Sequence, residues 1–319
     1  MTETQPSLDL SVVIPLYNEQ ESIPALYEEL SNALNALHRS YEVIIVDDGS
    51  QDGSFEQLRL IHQRDPRWRI VRFRRNFGQT AGMAAGFRLA QGRTVVTSDA
   101  DLQNDPRDIG ALLSKMDEGY DIVSGWRVHR KEPFLTRRLP SQTANWLISR
   151  TTGVKLHDYG CSLKAYDWQV AKGVRLYGDL HRFIPAIASQ MGVRVAEIPV
   201  NDRARRFGKS KYGIGRTLKV FLDLIGVLFL LSYFNRPLRV FGLAGVLVGG
   251  IGSLILAYLG YVRLILAQPI GERPLLLLGI LLVVLGVQFI STGLIADMLM
   301  RTYYESQDKP TYFIKETLE

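Results

Sequence analysis

The first two thirds of the chain alternate short apolar runs with segments of helical spacing. Apolar, β-branched runs predict strands at 10–16, 41–46, 69–73, 94–98 and 121–124. Between them, apolar residues at helical spacing predict helices at 23–37, 54–62, 79–90 and 106–118. Strands that alternate with helices favour a parallel sheet covered on both faces, with ligands bound beyond the carboxyl ends of the strands. The predicted fold class is therefore α/β, with a mostly parallel, Rossmann-like sheet in a domain over 1–216.

The last third of the chain is apolar instead. Residues 240–262 are 23 positions without a charge, and 275–296 are 22. As helices, each would extend roughly 33 Å, enough to cross a bilayer. Two buried core helices of this length, separated by a short polar loop, would be unusual. The pattern therefore predicts transmembrane helices at 237–262 and 275–300, joined by an external loop at 263–274.

Basic residues predict the topology. They precede the first span and follow the second, whereas the connecting loop has only Arg263 and Arg273. The positive-inside rule then places both ends in the cytoplasm, in a multi-pass protein of the cell inner (plasma) membrane with a cytoplasmic tail over 301–319. Segment 217–235 is apolar but carries Lys219 and Asp223. A third span would put the tail outside, so we expect a helix lying in the membrane interface.

Charge and composition indicate which kinds of partner the protein can bind. The net charge is +6 and the pI near 9.3, but the basic residues cluster beside the first span, which favours anionic lipid or phosphate over nucleic acid. The single cysteine, Cys161, excludes an intrachain disulfide. Small residues in the first span would allow close helix packing, including packing in a homo-oligomer. They are Gly245, Gly249, Gly250 and Gly252.

Two carboxylates directly follow the predicted strand at 94–98. Asp99 and Asp101 leave the strand two positions apart, so both can approach one cation, and Gln103 offers another oxygen. Hard oxygen ligands favour Mg²⁺ or Mn²⁺. Acidic turns are common in proteins, but the position directly after a core strand favours a metal site.

A second polar cluster follows the first two predicted strands. Tyr17 is placed to stack on a base, and Asp47 to accept hydrogen bonds from a base or ribose. Asp48 either contributes to this pocket or belongs to a turn and helix cap with Gly49 and Ser50. The chain has neither a G-x-G-x-x-G after the first strand nor a G-x-x-x-x-G-K-[ST], so neither dinucleotide nor P-loop binding is indicated.

Four motifs in this order, VVIPLYNE, IIVDDGSQDGS, RNFGQTAG and SDADLQNDP, resemble the family 2 glycosyltransferases of the polyprenyl-phosphate branch, which includes dolichol-phosphate mannose synthase. The resemblance extends from about residue 8 through both predicted spans. It implies a GT-A fold and inverting transfer of one sugar from a nucleotide-sugar, expected to be a UDP-sugar, to a polyprenyl phosphate, expected to be undecaprenyl phosphate. The short segment DYGC, residues 158–161, is similar to the sequence of bacterial undecaprenyl-phosphate formamido-arabinose and glucose transferases.

The resemblance also implies roles for residues at matching positions. It implies that Asp101, Arg127 and Asp158 are the catalytic residues. Asp158 would face the reaction centre, either as a base or as a residue that positions the acceptor or a sugar hydroxyl. An acceptor phosphomonoester is largely ionised at neutral pH, so a strong base is unnecessary. The remaining assignments are the nucleotide site (Pro15, Tyr17, Glu19, Asp47, Asp48 and Asp99), the metal and diphosphate site (Asp99, Asp101 and Gln103), and the lipid-phosphate and diphosphate loop (Arg203, Arg206, Ser210 and Lys211).

Two other functions remain open at this point. A processive polysaccharide synthase has a similar catalytic domain, but it usually has more spans and a Q-x-x-R-W motif, which this chain lacks. A sugar-lipid transporter with a nucleotide-sugar sensor domain would need polar groups along its spans. Here Gln288 and Ser291 are the main ones.

Overall fold

The structure, a computed structural model, describes residues 6–128, 149, 153–176, 180–204, 237–271, 273–306 and 312–318. The predicted interfacial segment 217–235 lies outside these residues, as do Arg206, Ser210 and Lys211. The chain divides into two compact units. The first comprises Met1–Val227 and Pro310–Glu319, and the second Leu228–Lys309.

The predicted alternation of strands and helices is confirmed to within a few residues. The strands are β1 Leu8–Leu16, β2 Tyr41–Asp47, β3 Trp68–Phe73, β4 Gly92–Thr97, β5 Ile122–Arg127, β6 Lys164–Asp167, β7 Val195–Val200 and β8 Ile314–Leu318. The helices are α1 Ile23–Asn35, α2 Ser54–Arg64, α3 Gln79–Leu89, α4 Ile109–Asp117, α5 Trp168–Gly173, α6 Ile184–Ala188, α7 Pro237–Leu264 and α8 Pro274–Ser306. The helix predicted from residue 106 begins with a 3₁₀ turn, Pro106–Asp108, capped by the Asp105 side chain.

Within the described residues, the strands form one eight-stranded sheet in the order β7-β5-β6-β4-β1-β2-β3-β8. Four strand pairs are parallel: β1 with β2, β1 with β4, β2 with β3, and β5 with β7. Strand β6 runs antiparallel to both β4 and β5, and β8 runs antiparallel to β3. The predicted α/β class with a mostly parallel sheet is confirmed, while β6, β7 and β8 were not predicted.

Side chains alternate between the two faces of the sheet, and helices pack on both faces, so both faces are buried. In β1, Val12 and Ile14 pack into the core shared with α1, α2 and α4, whereas Val13 packs into the core shared with α3 and α5. Helix α3 lies very close to β1. A Cβ on Gly86 would stand 2.1 Å from Val13 Cγ1, and one on Gly82 2.9 Å from Pro15 Cβ. These glycines therefore let the first residues of α3 approach the end of β1.

In the described part of the second unit, two helices are long and apolar enough to cross a membrane, over Phe241–Leu264 and Pro274–Ala296. Glycines bring α7 and α8 together. A Cβ on Gly245 would lie 2.6 Å from the Gly286 carbonyl oxygen, and one on Gly252 2.8 Å from that of Gly279. Gly249 also lies against Gly286, whereas Gly250 faces open space. Three of the four small residues thus serve packing within the chain, and the homo-oligomer stays a prediction.

Candidate active site

The loops after β1, β2 and β4 emerge at the same edge of the sheet. Leu16 pairs with Asp47 in the parallel register of β1 and β2. The Asp48 N–H donates to the Leu16 carbonyl at 2.8 Å, and the Ser98 N–H donates to the Val13 carbonyl at 3.2 Å. The polar motifs that follow these strands are therefore neighbours, as the sequence predicts for a parallel sheet.

The first two loops are joined by side-chain hydrogen bonds. The Asn18 N–H donates to Ser50 Oγ at 2.9 Å, and the Glu19 N–H donates to Ser54 Oγ at 3.1 Å. Asn18 has a positive φ of 51°, a conformation that asparagine tolerates better than most residues. These contacts hold Tyr17 and Glu19 half-buried beside the end of β2.

Asp47 is fully buried at the end of β2. Its Oδ1 accepts a hydrogen bond from the Ser50 N–H at 2.8 Å. Its Oδ2 has no hydrogen-bond partner among the described residues, and the Arg72 Nε lies 3.5 Å away. A buried carboxylate oxygen is expected to have a hydrogen-bond donor. Asp47 is thus suited to accept an N–H or O–H from a ligand.

Asp48 makes a different contact. It accepts hydrogen bonds from the N–H groups of Phe77 and Gly78 at 2.6 and 2.8 Å. Burial raises the pKa of its carboxyl, although these two bonds oppose the shift. Asp48 therefore fixes the loop that leads into α3. This geometry favours a structural role, and binding of the nucleotide by Asp48 stays a prediction.

Each of the two carboxylates after β4 accepts a hydrogen bond. The Gln79 Nε2 donates to Asp99 Oδ1 at 2.7 Å, and the Gln103 N–H donates to Asp101 Oδ1 at 3.1 Å. Leu102 between them has a φ of +60°, which is unusual for a bulky residue and marks local strain. Burial, followed by the negative charge of Asp101, raises the pKa of Asp99.

The residues present fit a hard divalent cation. The charge of Asp101 raises the pKa of Asp99, so the two carboxylates repel each other, and a bound divalent cation would relieve this repulsion. Among the described residues no group of three or more His, Cys, Asp and Glu side chains could hold a metal. Mg²⁺ or Mn²⁺ bound at Asp99 and Asp101 would therefore take other ligands from water and a substrate diphosphate. The Gln103 side chain as a ligand stays a prediction.

Arg127 and Asp158 form a largely buried ion pair. The Arg127 Nε and Nη2 donate to the two carboxylate oxygens at 2.9 and 3.3 Å, and the Gly160 N–H donates to Oδ1 at 3.1 Å. Burial opposes the charge on Arg127, but Asp158 outweighs it and raises the pKa of the guanidinium above its usual range. With both oxygens engaged, Asp158 is better placed to orient Arg127 than to act as a base.

Lys164 was not predicted as a site residue. It is the first residue of β6, pairs with Thr97 at the end of β4, and is only 2% exposed. Its ammonium donates to the carbonyl groups of Tyr159 and Cys161, and burial lowers its pKa. Lys164 thus closes the loop that carries Asp158. No signal in the sequence indicated this, because the burial of Lys164 depends on the position of β6 between β4 and β5.

Arg203 is held by two carboxylates. It forms ion pairs with Glu29 and with Asp105, whose Oδ2 lies 2.7 Å from the Arg203 Nη2. The Arg203 N–H also donates to the Gln103 carbonyl at 2.9 Å. These contacts join the segment after β7 to the loop after β4. A direct role of Arg203 in binding phosphate stays a prediction.

Gln79 is the other site residue that the sequence did not single out, although it lies in the RNFGQTAG motif. Replacing it with alanine removes the donor that orients Asp99. Such partners of metal-binding carboxylates typically contribute about 10- to 100-fold in metal affinity or activity. We expect Q79A to weaken the affinity of the protein for Mn²⁺, measured by titration calorimetry, by at least about tenfold. The exposed Gln91, at the opposite end of the sheet, provides the control Q91A, and an unchanged Mn²⁺ affinity in Q79A would contradict the assignment.

Cys161 is expected to be unreactive. Its thiol is buried against Leu163, and burial raises its pKa to about 11, so little thiolate exists at neutral pH. Iodoacetamide at pH 7.5 should leave the native protein unmodified by mass spectrometry, whereas unfolded protein should be alkylated. Rapid alkylation of the native protein would show that the thiol is accessible.

The motifs match a known family. The model of glycosyl transferase family 2 matches residues 11–174. A dodecaprenyl-phosphate galacturonate synthase from Rhizobium johnstonii is 44% identical over 317 residues, which cover 98% of this chain and 94% of that protein. The chain belongs to glycosyl transferase family 2 and is a glycosyltransferase, as the resemblance implied. Its relative falls in the polyprenyl-phosphate branch that the motifs indicated.

Solved structures share the fold. Glucosyl-3-phosphoglycerate synthase from Mycobacterium tuberculosis, in complex with Mn²⁺, UDP and glucosyl-3-phosphoglycerate, has a TM-score of 0.55 at 16% identity, covering 71% of this chain and 80% of that one. The same enzyme with Mg²⁺ and UDP has a TM-score of 0.52 at 16% identity over the same shares. The likeness confirms the GT-A fold.

Proposed function

We propose that this protein transfers one sugar from a UDP-sugar to a polyprenyl phosphate, with inversion at the anomeric carbon and with Mg²⁺ or Mn²⁺ bound at Asp99 and Asp101. The observation that carries this proposal is the near full-length similarity to a dodecaprenyl-phosphate galacturonate synthase, which includes both apolar helices. We take galacturonate as the first sugar to test, on the ground of that relative.

The chemistry fits the side chains at the strand ends. An acceptor phosphate oxygen attacks the anomeric carbon, the bond from that carbon to the diphosphate oxygen breaks, and the nucleoside diphosphate leaves. The acceptor is already ionised, so no proton has to be removed. A bound divalent cation would neutralise charge on the leaving diphosphate.

The chain's own residues serve to bind and orient the substrates. Asp47 has a buried oxygen without a hydrogen-bond partner among the described residues, and Tyr17 lines a cavity together with Arg72, whose Nε is 3.5 Å from that oxygen. Asp158 holds the cationic guanidinium of Arg127 in one position at the end of β5. Preorganised charges of this kind stabilise charge that develops during reaction. Catalysis by electrostatics and alignment therefore needs no general base in this site.

The location follows from the substrates. We place the protein in the inner membrane with the catalytic unit on the cytoplasmic side, because nucleotide-sugars are cytosolic and the prenyl chain requires lipid. The support is the pair of apolar helices and the distribution of basic residues along the chain.

The test is a screen with purified full-length protein. Labelled UDP-galacturonate, UDP-glucose and GDP-mannose are each offered with undecaprenyl or dodecaprenyl phosphate and Mn²⁺. We expect a lipid product with a UDP-sugar, and UDP-galacturonate to give the highest kcat/KM. A polymer on the lipid would favour a processive synthase. Movement of preformed sugar-lipid across vesicle membranes, without transfer, would favour the transporter.

A further inference from the structure

Residues Ile314–Leu318, near the end of the chain, form strand β8 at one edge of the sheet. It runs antiparallel to β3, with Ile70 opposite Leu318 and Arg72 opposite Glu316, but Phe73 lies opposite Ile314. The pairing shifts by one residue at this step. Lys315 is therefore the extra residue of a β-bulge.

A bulge turns a side chain away from the regular alternation of its strand, and bulges are frequent beside active sites. Lys315 lines a cavity of about 230 Å³ next to the ends of β1, β2 and β3. The other walls include Tyr17, the turn at Gly49 and Ser50, and Arg75. The bulge thus carries a lysine from the far end of the chain to the predicted nucleoside pocket.

Aromatic contacts hold this tail in place independently of Lys315. Tyr312 is buried and stacks on Phe73 with ring centroids 5.0 Å apart. Phe313 contacts Phe77 at 6.1 Å, and its carbonyl accepts a hydrogen bond from the Arg74 N–H at 3.1 Å. Phe77 belongs to the loop that Asp48 fixes, so the tail packs on the same loop that borders the pocket.

The cavity collects positive charge. Lys315, Arg72, Arg74 and Arg75 all line it, and Asp47 lies against Arg72. Four cations around one cavity repel each other unless an electron-rich ligand lies between them. A side chain that donates hydrogen bonds and carries charge is suited to carbonyl oxygens of a nucleobase as well as to phosphate.

The position in the sheet distinguishes these two ligand groups. Lys315 and the arginines line the side of the cavity at β3, whereas Asp99 follows β4, and β1 and β2 lie between β4 and β3. At about 4.8 Å per strand, this side of the cavity is roughly 14 Å from Asp99 and Asp101. A nucleotide whose diphosphate lies at Asp99 would therefore reach the cavity with its base.

We propose that Lys315 binds the nucleobase end of the nucleotide donor, so that the C-terminal strand completes the donor site. This proposal rests on the proposed function, because it assumes that a nucleotide-sugar is the donor. It assigns to the tail a role in substrate binding in addition to closing the edge of the sheet.

The test compares K315A, K315R and the charge-matched control K115A, since Lys115 forms an exposed pair with Glu118 on α4, away from the cavity. Calorimetry in detergent with Mn²⁺ measures the binding of UDP, UMP and inorganic pyrophosphate to the full chain. We expect K315A to weaken UDP and UMP about tenfold each, because a hydrogen bond from a charged donor is lost. K315R should restore most of the affinity, and pyrophosphate binding should not change.

Unchanged UDP affinity in K315A would overturn the proposal. An equal loss of pyrophosphate affinity would also overturn it, because the effect would then be one of general charge. Wild-type protein that binds no UDP would instead contradict the proposed function. Melting temperatures of the variants, expected to equal that of the wild type, exclude misfolding as the cause of a loss.

Discussion

Replacement of Asp101 with asparagine is expected to lower kcat for sugar transfer by at least about 10³-fold. Asparagine has the same shape and retains an acceptor for the Gln103 N–H, so the loop should keep its conformation. What is lost is one of the two negative charges that we propose bind a divalent cation. Transfer is measured with a labelled UDP-sugar and polyprenyl phosphate over a range of Mn²⁺ concentrations.

The matched control is D117N, since Asp117 is exposed at the end of α4 and pairs with Arg39. Its activity should equal that of the wild type, because surface ion pairs contribute little to stability. Near-normal transfer by D101N at saturating Mn²⁺ would refute the role given to Asp101.

The second large effect is expected for Gly49→Ala. Gly49 has a φ of +71°, and a Cβ there would lie 2.6 Å from the backbone carbon of Arg75. The left-handed conformation alone costs an alanine about 1 to 2 kcal/mol, and displacement of the Arg75 backbone adds to that. We expect the free energy of unfolding of G49A to be about 3 kcal/mol lower than that of the wild type. This corresponds to a drop of roughly 6 to 12 °C in melting temperature. Because Gly49 lines the cavity beside Tyr17, UDP binding should weaken as well.

Gly192 provides a control in which only the left-handed backbone conformation opposes the substitution. Its φ is +79°, close to that of Gly49, but nothing lies within 4 Å of a Cβ at this position. The free energy of unfolding of G192A should therefore fall by only about 1 to 2 kcal/mol, and this variant should bind UDP normally. Equal losses of stability in the two variants would show that contact with Arg75 is unimportant.

The central part of the fold could be predicted because its strands are short, apolar and separated by helical segments. Leu8–Leu16 and Tyr41–Asp47 are buried on both faces, so their apolar runs are nearly continuous. The edges of the sheet could not be predicted in this way. Ile314–Leu318, with the sequence IKETL, is mostly exposed and carries two charges, and it becomes a strand only through pairing with β3.

The candidate site was predicted where one strand end carries its own chemistry, as at Asp99 and Asp101. It was missed where the contact depends on tertiary packing. Gln79 reaches Asp99 because two glycines allow α3 to lie against β1. Lys164 is buried because β6 inserts between β4 and β5, which the four residues KAYD do not indicate. Neither of these features can be predicted from the spacing of residues along the sequence.

The most direct test of the proposed function is the stoichiometry of the reaction. Purified full-length protein is incubated with UDP-galacturonate, polyprenyl phosphate and Mn²⁺, and both released UDP and the mass of the lipid are measured. We expect one UDP released for each lipid that gains a single sugar, and no release after EDTA until Mn²⁺ is restored. Release of UDP that does not depend on a polyprenyl acceptor, or lipid carrying a chain of sugars, would contradict the proposed transfer of one sugar to a polyprenyl phosphate.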